Sequence, residues 1–302
     1  MKTIKLGTRG SDLALWQTEH VASLLKQTYP NITTETVIIS TRGDQVLDTP
    51  LPLVGGKGLF TAELEAALRQ HEIDFAVHSL KDLPTDDPKG LTVGAIPARA
   101  NPSDVLVSRD RYTLETLPQG AIVGTSSRRR AAQLLALRPD IEIKDIRGNI
   151  NTRIRKGLEG SYDAIVLAFA GIDRLKLPDV PFSILPFEQM LPAPGQGALG
   201  VQCRDEAESI ALLAPITDQA TIISVTAERA FLKALGGGCS VPIAAHASLK
   251  ADGMYTLEGR VYSLDGQRKI QVQIPFDGTQ AHETGMQLAQ MAISQGASDI
   301  LS

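Results

Sequence analysis

The chain is poor in cysteine and in aromatic residues. Its 302 residues include two cysteines, one tryptophan and five histidines, and aromatics make up 4%. Two cysteines build neither a disulfide framework nor a metal cage. With no close His/Cys pairing, a structural zinc is not expected, and the reading is that no metal is held. Scarce aromatics leave few platforms for stacking bases, and no helix-turn-helix, RNA-recognition or zinc-finger pattern is present. The net charge of −4 is also wrong for a general nucleic-acid binder. No apolar run is long enough to span a bilayer, so no membrane partner is expected. The first residues lead directly into a strand-like segment with no signal-peptide pattern, which points to a reducing cytoplasm.

What is present is a rhythm. Residues 3–8 read as a strand, and Ser11 can cap a helix with Leu13, Trp16, Val21 and Leu24 on one side. A β-branched run at 36–40, a helix at 59–69 and a buried strand at 73–78 complete an α/β set with a largely parallel sheet. A second set has strands at 104–108, 121–124, 142–145 and 163–168, with helices at 127–137 and 149–158. The proline-rich stretches 97–102 and 178–194 read as crossovers. Residues 197–203 form a strand able to return to the first sheet. Asp218 can cap a long helix ended by Gly236, followed by three alternating segments and a helix at 279–294. The expected fold is α/β: two lobes of periplasmic-binding-protein type enclosing a cleft, plus a small C-terminal α+β domain. The expected boundaries are 1–99 with 197–217, then 100–196, then 218–302.

Charge is distributed unevenly. Residues 125–156 carry nine Lys/Arg against three Asp/Glu in a chain that is acidic overall. The turn Gly124-Thr125-Ser126-Ser127-Arg128-Arg129-Arg130 follows a strand and opens a helix, and Arg147-Gly148-Asn149, Arg153 and Arg155 add to it. Free N–H groups at a helix start and guanidinium forks suit a multiply charged anion. A solvated basic helix face explains three adjacent arginines equally well. Three further turns have anion-binding character: Thr8-Arg9-Gly10-Ser11, Arg42-Gly43-Asp44 and Gly55-Gly56-Lys57-Gly58-Leu59-Phe60, the last lacking P-loop spacing. His78-Ser79-Leu80-Lys81-Asp82 sits at a strand's carboxyl end, where open α/β sheets bind ligands. Cys239 follows Gly236-Gly237-Gly238. It is either a small buried residue after a helix cap or a thiol presented to carry something.

Together these stretches, with Leu13-Ala14-Leu15-Trp16-Gln17, Pro192-Ala193-Pro194-Gly195-Gln196-Gly197-Ala198 and Cys239-Ser240-Val241-Pro242, resemble the porphobilinogen deaminase (hydroxymethylbilane synthase) family in order and nearly end to end. The resemblance implies a transferase of tetrapyrrole biosynthesis that joins four porphobilinogen molecules head to tail with loss of ammonia. It implies a dipyrromethane cofactor held by a thioether to Cys239. Cofactor contacts fall on Lys81, Asp82, Thr125, Ser127, Arg129, Arg130, Arg147 and Gly148. Substrate contacts fall on Arg9, Ser11, Lys57, Phe60, Ser79, Arg147, Arg153, Arg174 and Gln196. Asp82 is implied as the catalytic group, stabilising the azafulvene-type cation left when ammonia departs. A monomer is implied. Arg128 stands where the family often has an apolar residue and receives no ligand role; Gly236 is an extra glycine, and Cys203 is read as a buried strand residue. Two competing readings are an anion-binding clamshell without catalysis and a nucleic-acid protein using the arginines. Neither accounts for Cys239 together with Lys81-Asp82.

Overall fold

A computed structural model describes residues 3–45, 60–237 and 241–301. The chain divides into two compact units, Met1–Ala100 with Ala198–Ile222, and Asn101–Gly197 with Ile223–Ser302.

The first unit holds a five-stranded sheet in the order β2-β1-β3-β10-β4. Its strands are β1 (Thr3–Thr8), β2 (Thr33–Ile38), β3 (Phe75–Ser79), β4 (Leu91–Ala95) and β10 (Leu199–Arg204). β1 runs parallel to β2 and β3, whereas β10 lies antiparallel between β3 and β4. The sheet is therefore mixed, not largely parallel: the returning chain enters from the opposite end. Helix α1 (Asp12–Thr28) starts at Ser11 as expected, because the serine side chain accepts the Ala14 N–H. Val21, Ala22 and Leu25 of α1 pack on Leu6, Phe75, Val77 and Val201. Burying each such side chain is worth roughly 1.5–3 kcal/mol. The opposite face carries Ala76 against Leu64, Ala67 and Leu68 of the helix Ala62–Arg69. Strand alternation thus sends Phe75, Val77 and Ser79 toward α1, and Ala76 and His78 the other way.

The second unit contains another mixed sheet, β7-β6-β8-β5-β9, and a three-stranded antiparallel sheet, β11-β12-β13. The strands are β5 (Asp104–Val107), β6 (Ile122–Gly124), β7 (Glu142–Lys144), β8 (Ala164–Ala168) and β9 (Phe182–Leu185), then β11 (Ile243–Leu249), β12 (Tyr255–Tyr262) and β13 (Lys269–Phe276). β9 lies within the stretch expected to be a crossover. It is an edge strand with Phe182 and Ile184 exposed, so its pattern differs from that of a buried strand. β4 and the short helices Phe169–Arg174, Ala207–Leu213 and Ala297–Leu301 were also not expected. Asp218 caps the helix Gln219–Ala234 through the Thr221 N–H at 2.8 Å. Phe231 of that helix is fully buried among Ala245, Leu257 and Leu288. Two mixed α/β sheets plus a small antiparallel α+β part match the fold class read from the sequence. Among the described residues, no single helix is long and apolar enough to cross a membrane.

Candidate active site

In the first unit the candidate groups gather on turns at the carboxyl ends of β1 and β3. The Thr8 hydroxyl donates to the Ala14 carbonyl at 3.1 Å, pinning the strand end to α1. Arg9 follows, its guanidinium 4.3 Å from the centroid of the Phe60 ring. A side chain at Gly43 would collide with that ring, so the Arg42-Gly43 turn closes over Phe60. Ser79 ends β3 and precedes a single 3₁₀ turn, Leu80–Asp82. The Leu80 N–H donates to Ala198 O at 3.0 Å, so β10 anchors the turn. Lys81 is half-buried and Asp82 is exposed. The structure thus brings Arg9 together with Phe60, and places Ser79, Lys81 and Asp82 on one short turn.

His78, on the other face of β3, is 7% exposed. Burial pushes its imidazole down to about 4; the Gln202 amide opposes this and the Arg9 charge adds to it. His78 Nε2 and Gln202 Oε1 have no hydrogen-bond partner among the described residues.

In the second unit two turns lie side by side. Thr125 is buried, and its hydroxyl oxygen accepts the Ser127 N–H at 3.2 Å. Ser127 caps the helix Arg128–Leu137, accepting the Arg130 N–H. Ser126 both donates to Ile146 O at 2.9 Å and accepts Ile146 N–H at 3.1 Å, which ties this turn to Arg147-Gly148. Gly148 has φ +115°, a conformation L side chains rarely adopt. Its carbonyl accepts from Arg153 Nε at 2.8 Å. Arg128 is exposed, whereas Arg129 and Arg130 point inward.

Both buried arginines meet Asp104, a residue the sequence reading passed over. Arg129 Nη1 donates to its Oδ2 at 2.8 Å; Arg130 donates to Oδ1 from Nη2 at 2.7 Å and Nε at 3.0 Å. Gln196 Nε2 adds a bond to Oδ1 at 2.9 Å. Burial alone would raise the Asp104 carboxyl, but the two guanidiniums overcome it and hold it well below the usual carboxylate range. Burial also lowers Arg129. Two guanidiniums against one carboxylate leave one positive charge uncompensated.

The loop carrying Gln196 is tightly bound. Gln133 clasps Leu191, donating to its carbonyl at 3.0 Å and accepting its N–H at 2.9 Å. The fully buried Glu228 accepts the Gly195 N–H at 2.8 Å. Arg174 donates to Gly197 O at 2.6 Å, and burial brings its guanidinium down to about 10. Gln133, Glu228 and Asp104 were missed because their partners lie far from them in sequence. For Gln133 the available signal was a lone polar residue in the apolar run 131–137, since a buried polar group must find partners. Lys57 and Cys239 lie outside the described residues. Cys203 is buried in β10, against Gly94, and burial pushes its thiol up to about 11.

The donor set fits a dipyrromethane bearing carboxylate side chains. It combines an unbalanced guanidinium pair, the Thr125 and Ser127 hydroxyls at a helix start, and arginines on the adjoining turn.

Two stability predictions follow from the buried ionisable groups. Asp104→Ala strands two buried guanidiniums and should cost about 3–5 kcal/mol in urea unfolding. His78 sits below its unfolded value of 6.5, so its contribution is complete above pH 6.5 and lost as pH falls toward 4. The loss is on the order of 3 kcal/mol. His78→Gln should flatten that part of the stability profile, measured as urea midpoints between pH 4 and 7.

Comparison with known proteins agrees with the chemistry of these turns. The model of the "Porphobilinogen deaminase, dipyromethane cofactor binding domain" matches residues 4–212, and that of the "Porphobilinogen deaminase, C-terminal domain" matches residues 222–294. The porphobilinogen deaminase of Nitratidesulfovibrio vulgaris is 49% identical over 308 residues, covering 100% of this chain and 97% of that one. That of Brevibacillus brevis is 50% identical over 299 residues, covering 99% and 96%. Among solved structures, the probable amino-acid ABC transporter extracellular-binding protein ytmK from Bacillus subtilis aligns with a TM-score of 0.43 at 16% identity, over 74% of this chain and 94% of that one. That likeness is too distant to assign chemistry. The chain belongs to the porphobilinogen deaminase family of transferases, with that family's dipyrromethane cofactor-binding domain followed by its C-terminal domain.

Proposed function

We propose that the chain converts four porphobilinogen molecules and one water into the linear tetrapyrrole hydroxymethylbilane and four ammonia, with Asp82 as its catalytic residue. The observation that carries this reading is the single 3₁₀ turn after β3 that presents Lys81 beside an exposed Asp82 carboxylate, in a chain whose net charge is −4. The dipyrromethane, bound through Cys239, supplies the pyrrole end from which the chain grows.

Each substrate pyrrole carries an acetate and a propionate, and Arg9, Ser11, Lys57 and Ser79 would bind these in the first unit. Phe60 backs the Arg9 guanidinium. Arg147, Arg153, Arg174 and Gln196 would serve the same purpose in the second. Lys81, Thr125, Ser127, Arg129, Arg130, Arg147 and Gly148 would hold the cofactor, with Asp82 reaching its pyrrole N–H groups. For Arg129 and Arg130 this role rests on the charge that Asp104 leaves unbalanced. For Gln196 and Arg174 it extends a structural one: Gln196 ties its own loop to Asp104, and Arg174, at the end of the helix Phe169–Arg174, holds Gly197 of that loop.

Asp82 acts on the reacting substrate. When the aminomethyl C–N bond breaks, nitrogen keeps the electron pair and leaves with a proton as ammonia. Positive charge then spreads onto the pyrrole nitrogen. The Asp82 carboxylate accepts that N–H and stabilises the charge electrostatically. After the new C–C bond forms, the attacked carbon loses its proton, and Asp82 can take it. Hydrolysis after four additions releases the product. We place the enzyme in the cytoplasm as a monomer, with three domains at 1–99 with 197–217, 100–196 and 218–302. Its two cysteines, one a buried thiol, suit a reducing compartment.

The test is a pair of measurements on the purified full chain. Asp82→Asn should retain its fold by circular dichroism while turnover falls at least about a hundredfold. Intact mass should show an adduct of two pyrrole units in the wild type and none in Cys239→Ala. Near-normal turnover of Asp82→Asn rejects the catalytic role. An active, unmodified wild type rejects the cofactor attachment.

A further inference from the structure

Ser79 both ends β3 and precedes the turn that carries Lys81 and Asp82. Its hydroxyl oxygen accepts a hydrogen bond from Gln17 Nε2 at 2.9 Å. Gln17 is only 3% exposed and lies on α1, six residues beyond the cap Ser11. Apart from Thr18, the buried residues of the helix around it are apolar: Ala14, Val21, Ala22 and Leu25. An amide in that setting costs about 1–3 kcal/mol if unpaired, and a leucine of similar volume would fill the space without that penalty. The amide therefore needs a polar role.

A serine hydroxyl has one proton and two lone pairs, and it rotates to suit its neighbours. Once an N–H fills one lone pair from the α1 side, the proton is left for donation elsewhere. We infer that Gln17 is a positioning residue that sets the polarity of Ser79, holding its hydroxyl as a hydrogen-bond donor toward an acid group of the substrate. This rests on the reading of Ser79 as a substrate ligand given above. The arrangement also links two groups on one rigid element. The same helix presents the Arg9-Gly10-Ser11 turn at its start and Gln17 less than two turns later. A carboxylate needs donors only, and a serine free to turn its lone pairs outward would repel it.

Gln17→Glu tests this, because it keeps the shape and turns the donor into an acceptor. Ser79 must then donate to residue 17 and face the substrate with lone pairs. The KM for porphobilinogen should rise about tenfold or more, with kcat within about twofold of wild type. Gln17→Met, apolar and of similar length, removes the donor without adding a charge. It should raise KM by a smaller factor, and it carries the test if the buried carboxylate prevents folding. Intact mass establishes that each variant is loaded with cofactor before kinetics are measured. The deciding comparison repeats both changes in a Ser79→Ala background. If Gln17 acts through Ser79, neither change raises KM further there. An equal rise in both backgrounds overturns the inference. A wild-type KM for Ser79→Ala alone overturns the underlying assignment of Ser79. Unchanged KM in both Gln17 variants, with Ser79→Ala impaired, overturns the inference alone.

Discussion

The carboxylate of Asp104 organises the second unit's chemistry. Three guanidinium N–H groups and one amide N–H converge on its two oxygens, and none of the side chains involved is more than slightly exposed. Placing three charges in such a setting is expensive unless each is fully hydrogen-bonded. Each arginine also gives one donor to a main-chain carbonyl: Arg129 reaches Leu191 O and Arg130 reaches Val166 O. The cluster thereby fixes the start of β5, the first turn of the helix Arg128–Leu137 and the loop ahead of Gly197 relative to one another. It also carries a surplus positive charge. That surplus is the electrostatic basis on which we propose the pair as ligands for a carboxylate-bearing cofactor.

The first unit solves a related problem differently. Its donors sit on short turns rather than in a buried network, and the surrounding sheet holds each turn. Thr8 locks β1 to α1, Ser11 caps that helix, and the Leu80 N–H rests on β10. Phe60, itself packed against Gly43, lies on Arg9, restricting a long side chain that would otherwise lose entropy on binding. Groups mounted this way need little reorganisation when charge develops, which is what the role we propose for Asp82 requires. The exposed position of Asp82 is consistent with a group that meets a succession of substrates.

The sequence showed most of this architecture because its signals were local. Ser11, Ser127, Asn149 and Asp218 each announced a helix start, and each caps one. The turns bearing Arg9, Lys81-Asp82 and Thr125 were visible from small and basic residues at strand ends. What stayed hidden was non-local. Asp104 lies 25 residues from Arg129 and 92 from Gln196 in sequence, so its partnership depends on tertiary packing. Gln17 looked like one more polar position on a helix, because a 62-residue separation hides Ser79. β9 was lost among prolines because an edge strand has no continuous buried run. The mixed character of the first sheet depends on which way β10 enters, and no local pattern encodes that.

The two cysteines illustrate how packing assigns chemistry to identical side chains. Cys203 lies in β10, flanked by β3 and β4, with its sulfur close to the backbone of Gly94. A side chain at position 94 would meet that sulfur at 2.7 Å, so the glycine makes room for it. With the thiol pushed up to about 11 by burial, it stays protonated at pH 7. Thioether formation needs the thiolate, so burial removes Cys203 as a rival attachment point. That leaves Cys239 as the attachment point we propose. The helix Gln219–Ala234 ends ahead of it in sequence, where Gly236, at φ +67°, supplies the left-handed residue.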